Sequence, residues 1–357
     1  MNINLPSIVN QIVATKGSDI HLTTGSKPIL RIKNRLITIE ESNTLSKKDL
    51  DELLISMISQ EKIDELYGGK EQDFAYTFDE INSRFRVNAF IAQGCPNLVM
   101  RYLPSDILSF EQLGLPSVMH QFSQLMQGFV LVTGPTGSGK STTLASVINE
   151  INHTRDVKIV TIEDPIEFIY KPDKSIITQR EIGYDTKSFS NALEASFRQD
   201  IDVILLGEMR DLDTIKVAVT AAETGHLVFS TLHTNSATQS IDRIIDTFPT
   251  YQQGQVRSQI ANSLQAVVSQ RLIPTVNGEL TPALEILLVN NAVKSLIREN
   301  RIYQLDTVIE THRKEGMISM NLSLFDLIVR GIVSYETALL YSPDPISLRS
   351  MLKRSVT

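Results

Sequence analysis

Gly134, Gly139, Lys140 and Ser141 stand in GPTGSGKST at the spacing of a phosphate-binding loop, Gly-x4-Gly-Lys-Ser/Thr. The residue types follow from the chemistry. Glycines let backbone N–H groups turn inward around a β-phosphate, where a Cβ would block the approach. Lys140 is suited to bridging β- and γ-phosphates and Ser141 to ligating Mg²⁺, with Pro135, Thr136, Gly137, Ser138 and Thr142 completing the cradle. Two carboxylates stand at the ends of apolar runs, Glu163 in TIEDPIE, beside Asp164, and Glu208 in ILLGEMRD. A carboxylate there can orient Mg²⁺ through its waters or accept a proton from an attacking water, and a strand-end salt bridge is the plain alternative for either alone. His226 opens the apolar run of GHLVFSTLHT and His233 lies just past its end, the better position for sensing a γ-phosphate.

These residues need a scaffold, and the surrounding pattern supplies one. Phe129 to Val132 form a wholly apolar run expected of a strand buried on both faces. After the glycine-rich loop, Leu144, Val147, Ile148 and Ile151 recur at helical spacing, so the order is strand, loop, helix, with the positive helix N-terminus beneath the phosphates. Further on, Val157 to Ile162, Val203 to Leu206 and Leu227 to Thr231 read as strands, alternating with helices around Ala192 to Phe197 and Ile215 to Ala222. The alternation predicts an α/β fold with a parallel sheet, helices on both faces and the loop-bearing strand near the centre. Ile260, Leu264, Val267, Val268 and Leu272 predict a further helix stopped by Pro274, and Asn290 to Arg354 reads as mostly helical.

Upstream, Ile8 to Ala14 has helix spacing, SDIHL, PILRI and RLITI read as short strands, and Ser46 with Asp49 forms a capping box before a helix. In Arg84 to Ile91, apolar Phe85, Val87, Ala89 and Ile91 alternate with Arg84, Arg86, Asn88 and Phe90, which sets both arginines on one face of a half-buried sheet. Arg101 lies on the next strand. The first hundred or so residues thus read as a small α+β domain, followed by a Pro- and Gly-punctuated linker from Pro104 to about Val118.

With 357 residues the chain has room for two domains, and its one cysteine, Cys95, excludes an internal disulfide or a four-cysteine zinc site. A net charge of −7 and the lack of a basic, aromatic-interleaved stripe disfavour a nucleic-acid motor. No signal-peptide pattern and no apolar run near the ~18 residues of a membrane span are seen, so the expected location is cytoplasmic, with membrane contact only through partners.

The four segments GPTGSGKS, TIEDPIE, ILLGEMRD and GHLVFSTLHT resemble, in this order and spacing, the Walker A, Asp box, Walker B and His box of the secretion ATPase superfamily, and within it the type IV pilus retraction ATPases. SDIHL, RFRVN, QREIG, TAAETGHL and SLQAVVSQRL extend the resemblance over nearly the whole chain. It implies a PAS-like N-terminal domain (1–103), a linker (104–118), a RecA-like ATPase core (119–289) and a C-terminal helical region (290–357). It implies further that Glu163 activates water, that Glu208 helps hold Mg²⁺ and that His226 and His233 couple the γ-phosphate to domain movement. The family works as ATP-driven homohexamers at the cytoplasmic face of the inner, or only, membrane, engaging a membrane platform protein and in some cases a second related ATPase. Arg84, Arg86 and Arg101 become candidates for completing a neighbouring subunit's site. AVKSLIRE (residues 292–299) resembles the family's retraction-associated AIRNLIRE, departing from it at Val293, Lys294 and Ser295. Accessory relatives share these motifs, whereas assembly and secretion ATPases usually carry a longer N-terminal region and often a four-cysteine motif. A non-hydrolysing regulatory protein is the remaining alternative, and Lys140, Glu163 and Glu208 weigh against it.

Overall fold

A computed structural model describes residues 4–32, 35–81, 83–103 and 106–355. Two compact units emerge. The first comprises the described residues up to Asp106 together with Pro165–Ile169, and the second comprises Ile107–Asp164 with Tyr170 onward.

The first unit runs α1 (Leu5–Ala14), β1 (Asp19–Thr23), β2 (Ile29–Ile32), β3 (Arg35–Thr38), α2 (Lys47–Met57), α3 (Gln60–Tyr67), β4 (Gln72–Phe78), β5 (Ser83–Ala92) and β6 (Cys95–Leu103). Its six strands form an antiparallel sheet in the order β3-β2-β1-β6-β5-β4. The capping box forms as expected: Asp49 N–H donates to Ser46 Oγ at 3.2 Å and Ser46 N–H to Asp49 Oδ2 at 3.0 Å. Phe85, Val87 and Ala89 on β5 are fully buried against Leu50, Leu54 and Ile20, while the alternate positions face outward.

The second unit continues with α4 (His120–Gln124), β7 (Gly128–Thr133), α5 (Lys140–Thr154), β8 (Lys158–Glu163), β9 (Ile176–Glu181), α6 (Phe189–Ser196), β10 (Val203–Leu206), α7 (Leu212–Glu223), β11 (Leu227–Leu232), α8 (Ala237–Asp246), α9 (Thr250–Ser263), β12 (Leu264–Pro274) and β13 (Leu280–Leu288). Helices α10 (Asn291–Arg298), α11 (Leu305–Thr311), α12 (Met320–Val329), α13 (Tyr335–Tyr341) and α14 (Pro345–Ser355) complete it. The seven strands order as β13-β12-β7-β11-β10-β8-β9, parallel throughout except for the edge pair β12 and β13. Every residue of β7, β10 and β11 is buried, as their unbroken apolar runs require. Phe129 and Leu131 enter the main core with α7, α8 and α9, and the side chains of Val130 and Val132 are buried on the opposite face. Each such side chain stabilises the fold by about 1.5–3 kcal/mol.

Three sequence expectations change. The helix expected over Ile260 to Leu272 is in fact the end of α9 followed at Leu264 by β12, a strand parallel to β7. A strand buried on both faces carries no alternation, and its apolar residues happened to fall at helical intervals. Strands β9 and β13 lie where the pattern gave no strand. The segment expected to be linker is largely part of the second unit from Ile107 onward: Phe110, Leu115 and Met119 are buried, and Ser146 on α5 donates to Leu108 O at 2.6 Å. Pro104 and Ser105 fall outside the described residues.

Candidate active site

Because β7, β11, β10 and β8 are parallel neighbours, the residues following them converge on one edge of the sheet. After β7 comes the loop 134–139, where Gly134, Gly137 and Gly139 take φ of +145°, +78° and +83°. A Cβ on Gly134 would lie 2.3 Å from Gln270 O and 2.6 Å from Ser138 Oγ, so only glycine fits. Lys140 is 8 % exposed at the first position of α5, and its Nζ donates to Gly134 O at 2.8 Å and Pro135 O at 3.0 Å. The amine thus sits within the curl of the loop. Ser138 Oγ is buried there without a hydrogen-bond partner among the described residues. An unpaired buried hydroxyl costs stability, and an anion in the cradle would relieve it. Beside the loop opens a cavity of about 380 Å³ lined by Thr136, Ser138, Asn235, Arg271 and Tyr341, among others.

Glu163 ends β8, buried, with Thr161 Oγ1 donating to its Oε1 at 2.6 Å. Gly207 N–H donates to Ile162 O at 2.8 Å, which sets Glu208 at the adjoining strand end. Thr231 Oγ1 in turn donates to Gly207 O at 2.6 Å, tying β11 to the same corner. Glu208, its side chain 12 % exposed, has Arg210 Nη2 2.5 Å from Oε1 and His233 Nε2 3.4 Å from Oε2. Gly134 N–H donates to Leu232 O at 3.2 Å, so the loop begins where β11 ends. The fold therefore gathers the phosphate loop, Glu163, Glu208 and His233.

His226 is not among them. It stands at the opposite end of β11, where its carbonyl accepts from Gly128 N–H and its Nδ1 lies 3.1 Å from Ala221 O. The six residues of β11 separate it from His233, seven steps or about 23 Å at ~3.3 Å per residue, so within its own subunit it reaches no γ-phosphate on this loop. The three arginines lie in the first unit, on the outward face of its sheet. Arg86 on β5 is the register partner of Arg101 on β6. Arg101 Nε donates to Asp19 Oδ1 at 3.0 Å, and Arg84 donates to Ile166 O at 3.1 Å and Thr77 Oγ1 at 2.9 Å.

One functional side chain escaped sequence reasoning. Gln270, 2 % exposed on β12, donates from Nε2 to Ser138 O and accepts at Oε1 from Thr143 Oγ1, both at 2.7 Å. It pins the phosphate loop to the first turn of α5. Reading β12 as a helix hid it, although a glutamine inside the apolar run AVVSQRL is a signal that a buried amide has a partner to hold.

This geometry has known counterparts. The family model of the type II/IV secretion system protein matches residues 2–318. The chain belongs to that family. It is 42 % identical over 321 residues to the type IV pilus retraction ATPase PilT of Pseudomonas aeruginosa, covering 90 % of this chain and 93 % of that one. A twitching motility protein of Neisseria gonorrhoeae is 46 % identical over 314 residues, 87 % of this chain and 83 % of the relative. The crystal structure of the pilus retraction motor PilT with bound ADP superposes with a TM-score of 0.91 at 43 % identity, over 98 % of this chain and all of that one. The chain accordingly has the α/β fold of that family, with a RecA-like ATPase domain. No helix among the described residues is long and apolar enough to cross a membrane.

Proposed function

We propose that this chain is an ATP-hydrolysing motor that powers retraction of type IV pili. The observation that carries the reading is the convergence of Lys140, Glu163, Glu208 and His233 on one sheet edge, in a chain of which 98 % superposes on a retraction motor. A nucleotide's phosphates would lie against the glycine-rich loop at the N-terminus of α5, where dipole and amine favour anions. Lys140 exchanges its two carbonyl acceptors for phosphate oxygens. Glu163, aimed by the Thr161 hydroxyl, takes the proton of the attacking water. His233, between Glu208 and the end of β11, reports the γ-phosphate to the loop that follows it.

Among the described residues no three His, Cys, Asp or Glu side chains are grouped to hold a metal by themselves. The hydroxyl of Ser141 and the Glu208 carboxylate are hard oxygen donors that fit Mg²⁺ held chiefly by phosphates and water. Such an ion would supply charge neutralisation at the β,γ-bridge. The site is completed in a homohexamer, Arg84, Arg86 and Arg101 reaching the nucleotide of a neighbouring subunit. The ring works at the cytoplasmic face of the membrane against a platform protein.

The test is a deletion strain rescued in parallel with wild type and with Lys140→Ala. Heavily piliated, immobile cells restored to twitching by wild type alone are the expected result. Bald cells would instead mean an assembly ATPase, and normal twitching would mean an accessory role.

A further inference from the structure

The loop that carries His233 is held from behind by α8, and α8 is in turn held from outside the phosphate site. Its first backbone amide, Ala237 N–H, donates to Glu285 Oε1 on β13 at 2.8 Å. On the same first turn, Ser240 Oγ lies 2.6 Å from Thr234 Oγ1 and 3.3 Å from Thr133 Oγ1. Thr234 follows His233 directly, and Thr133 directly precedes the phosphate loop. Ser240 thus joins the histidine loop to the root of the phosphate loop, at a height set by the first turn of α8. Asp306 on α11 accepts from Thr238 Oγ1 at 2.7 Å on the same turn, and Ser236 caps it.

From this geometry we infer that Glu285 is a positioning residue for hydrolysis: by holding the N-terminus of α8 it fixes Ser240, Thr234 and hence His233 against Glu208. The role needs an acceptor at that spot, which either a carboxylate or an amide provides. Burial, and less strongly Asp306, raise the Glu285 carboxyl above its ordinary range, opposed by the Ala237 amide and by Arg271. The Ala237 N–H needs only an oxygen acceptor, which the amide of glutamine supplies as well as a carboxylate. Glutamine is therefore expected to serve and alanine to fail. The inference rests on the hydrolytic reading above, but the anchoring itself can be measured without turnover.

The experiment compares wild type, Glu285→Gln, Glu285→Ala and Ser240→Ala by steady-state ATP hydrolysis and by amide hydrogen exchange without nucleotide. Expected is a kcat lower by ~10-fold or more in Glu285→Ala and Ser240→Ala with KM for ATP held within about twofold, since a small misplacement of a reacting group costs rate rather than binding. Glu285→Gln keeps the wild-type kcat. Residues 234–240 exchange faster in Glu285→Ala while α5 keeps its protection. Wild-type kcat in Ser240→Ala or Glu285→Ala overturns the inference, as does a Glu285→Gln as impaired as the alanine variant. Loss of protection in α5 and α8 together overturns it too, by showing a structural role. Should Glu285→Ala fail to fold, Ser240→Ala and Glu285→Gln still decide. A wild-type protein without turnover would refute the hydrolytic reading instead, and the exchange of 234–240 would then decide the anchoring alone.

Discussion

The Gln270 side chain donates to the backbone carbonyl of Ser138 at 2.7 Å, so that β12 holds the phosphate loop in its curled form from below. Gln270→Leu fills similar space but leaves the Ser138 carbonyl and the Thr143 hydroxyl without this partner in a buried setting. Each unsatisfied group costs about 1–3 kcal/mol. Thermal unfolding of Gln270→Leu should begin several degrees lower, and affinity for a fluorescent ADP analogue should fall with it. An unchanged melting temperature together with unchanged affinity would show that the loop holds its shape without the clamp.

Glu163 and Lys140 should separate chemistry from binding. Glu163→Gln keeps an acceptor for the Thr161 hydroxyl but cannot take a proton, so nucleotide affinity should persist while kcat falls by ~10²–10⁴. Lys140→Ala should lose affinity itself. Turnover in Glu163→Gln near the wild-type rate would remove Glu163 from the role of base.

What the sequence made legible was local or strictly periodic. The phosphate loop, the strands ending at Glu163 and Leu206, and the alternating face of β5 were readable because glycine spacing, apolar runs too short for a helix and two-residue alternation each point to one local structure. Strand β12 was not, because its extended form depends on pairing with β7 and β13, which only the tertiary fold brings alongside. Gln270 and Glu285 were lost for the same reason: their partners, Ser138 and Ala237, are 132 and 48 residues away. His233 was already the better placed of the two histidines in GHLVFSTLHT, just past the end of the apolar run, and β11 runs in that direction.

His120 gives a pH-dependent contact at the back of the phosphate-loop helix. Its Nδ1 lies 2.8 Å from Glu150 Oε1 on α5 and its Nε2 3.1 Å from Glu111 Oε1, with the Phe110 ring edge-on at 4.9 Å. The hydrogen bond to Glu150, ahead of the other contacts, raises the imidazole above its ordinary 6.5, and Ser109 and His120 lower Glu111 below 4.5. A raised histidine contributes stability that is fully present below its unfolded pKa and is lost as pH rises through the folded value. The lowered Glu111 contributes above its own unfolded pKa and loses that contribution as pH falls through its folded value. The stability difference between wild type and His120→Gln should therefore be largest between about pH 5 and 6 and shrink towards pH 8. It will be modest, because the imidazole is 39 % exposed. Melting curves that differ by the same amount at pH 5.5 and pH 8 would refute it.

Subunit mixing tests whether the arginine face acts between neighbours. Arg86 and Arg101 are directly opposed across β5 and β6, a like-charge pair that costs stability unless an anion or a carboxylate such as Asp19 faces it. If that anion is the nucleotide of an adjacent subunit, Arg86→Ala should lower kcat by ~10³ or more, the scale of an arginine supplied in trans. Rings of Arg86→Ala alone and rings of Glu163→Gln alone should then both be nearly inactive. In a mixed ring, some interfaces pair an intact Glu163 with an intact Arg86 from the next subunit, and those interfaces should recover turnover. Recovery that rises and falls with the mixing ratio, greatest near equal amounts, is the expected outcome. Mixtures no more active than the average of the two pure variants would mean that Arg86 acts within its own chain or only supports the sheet.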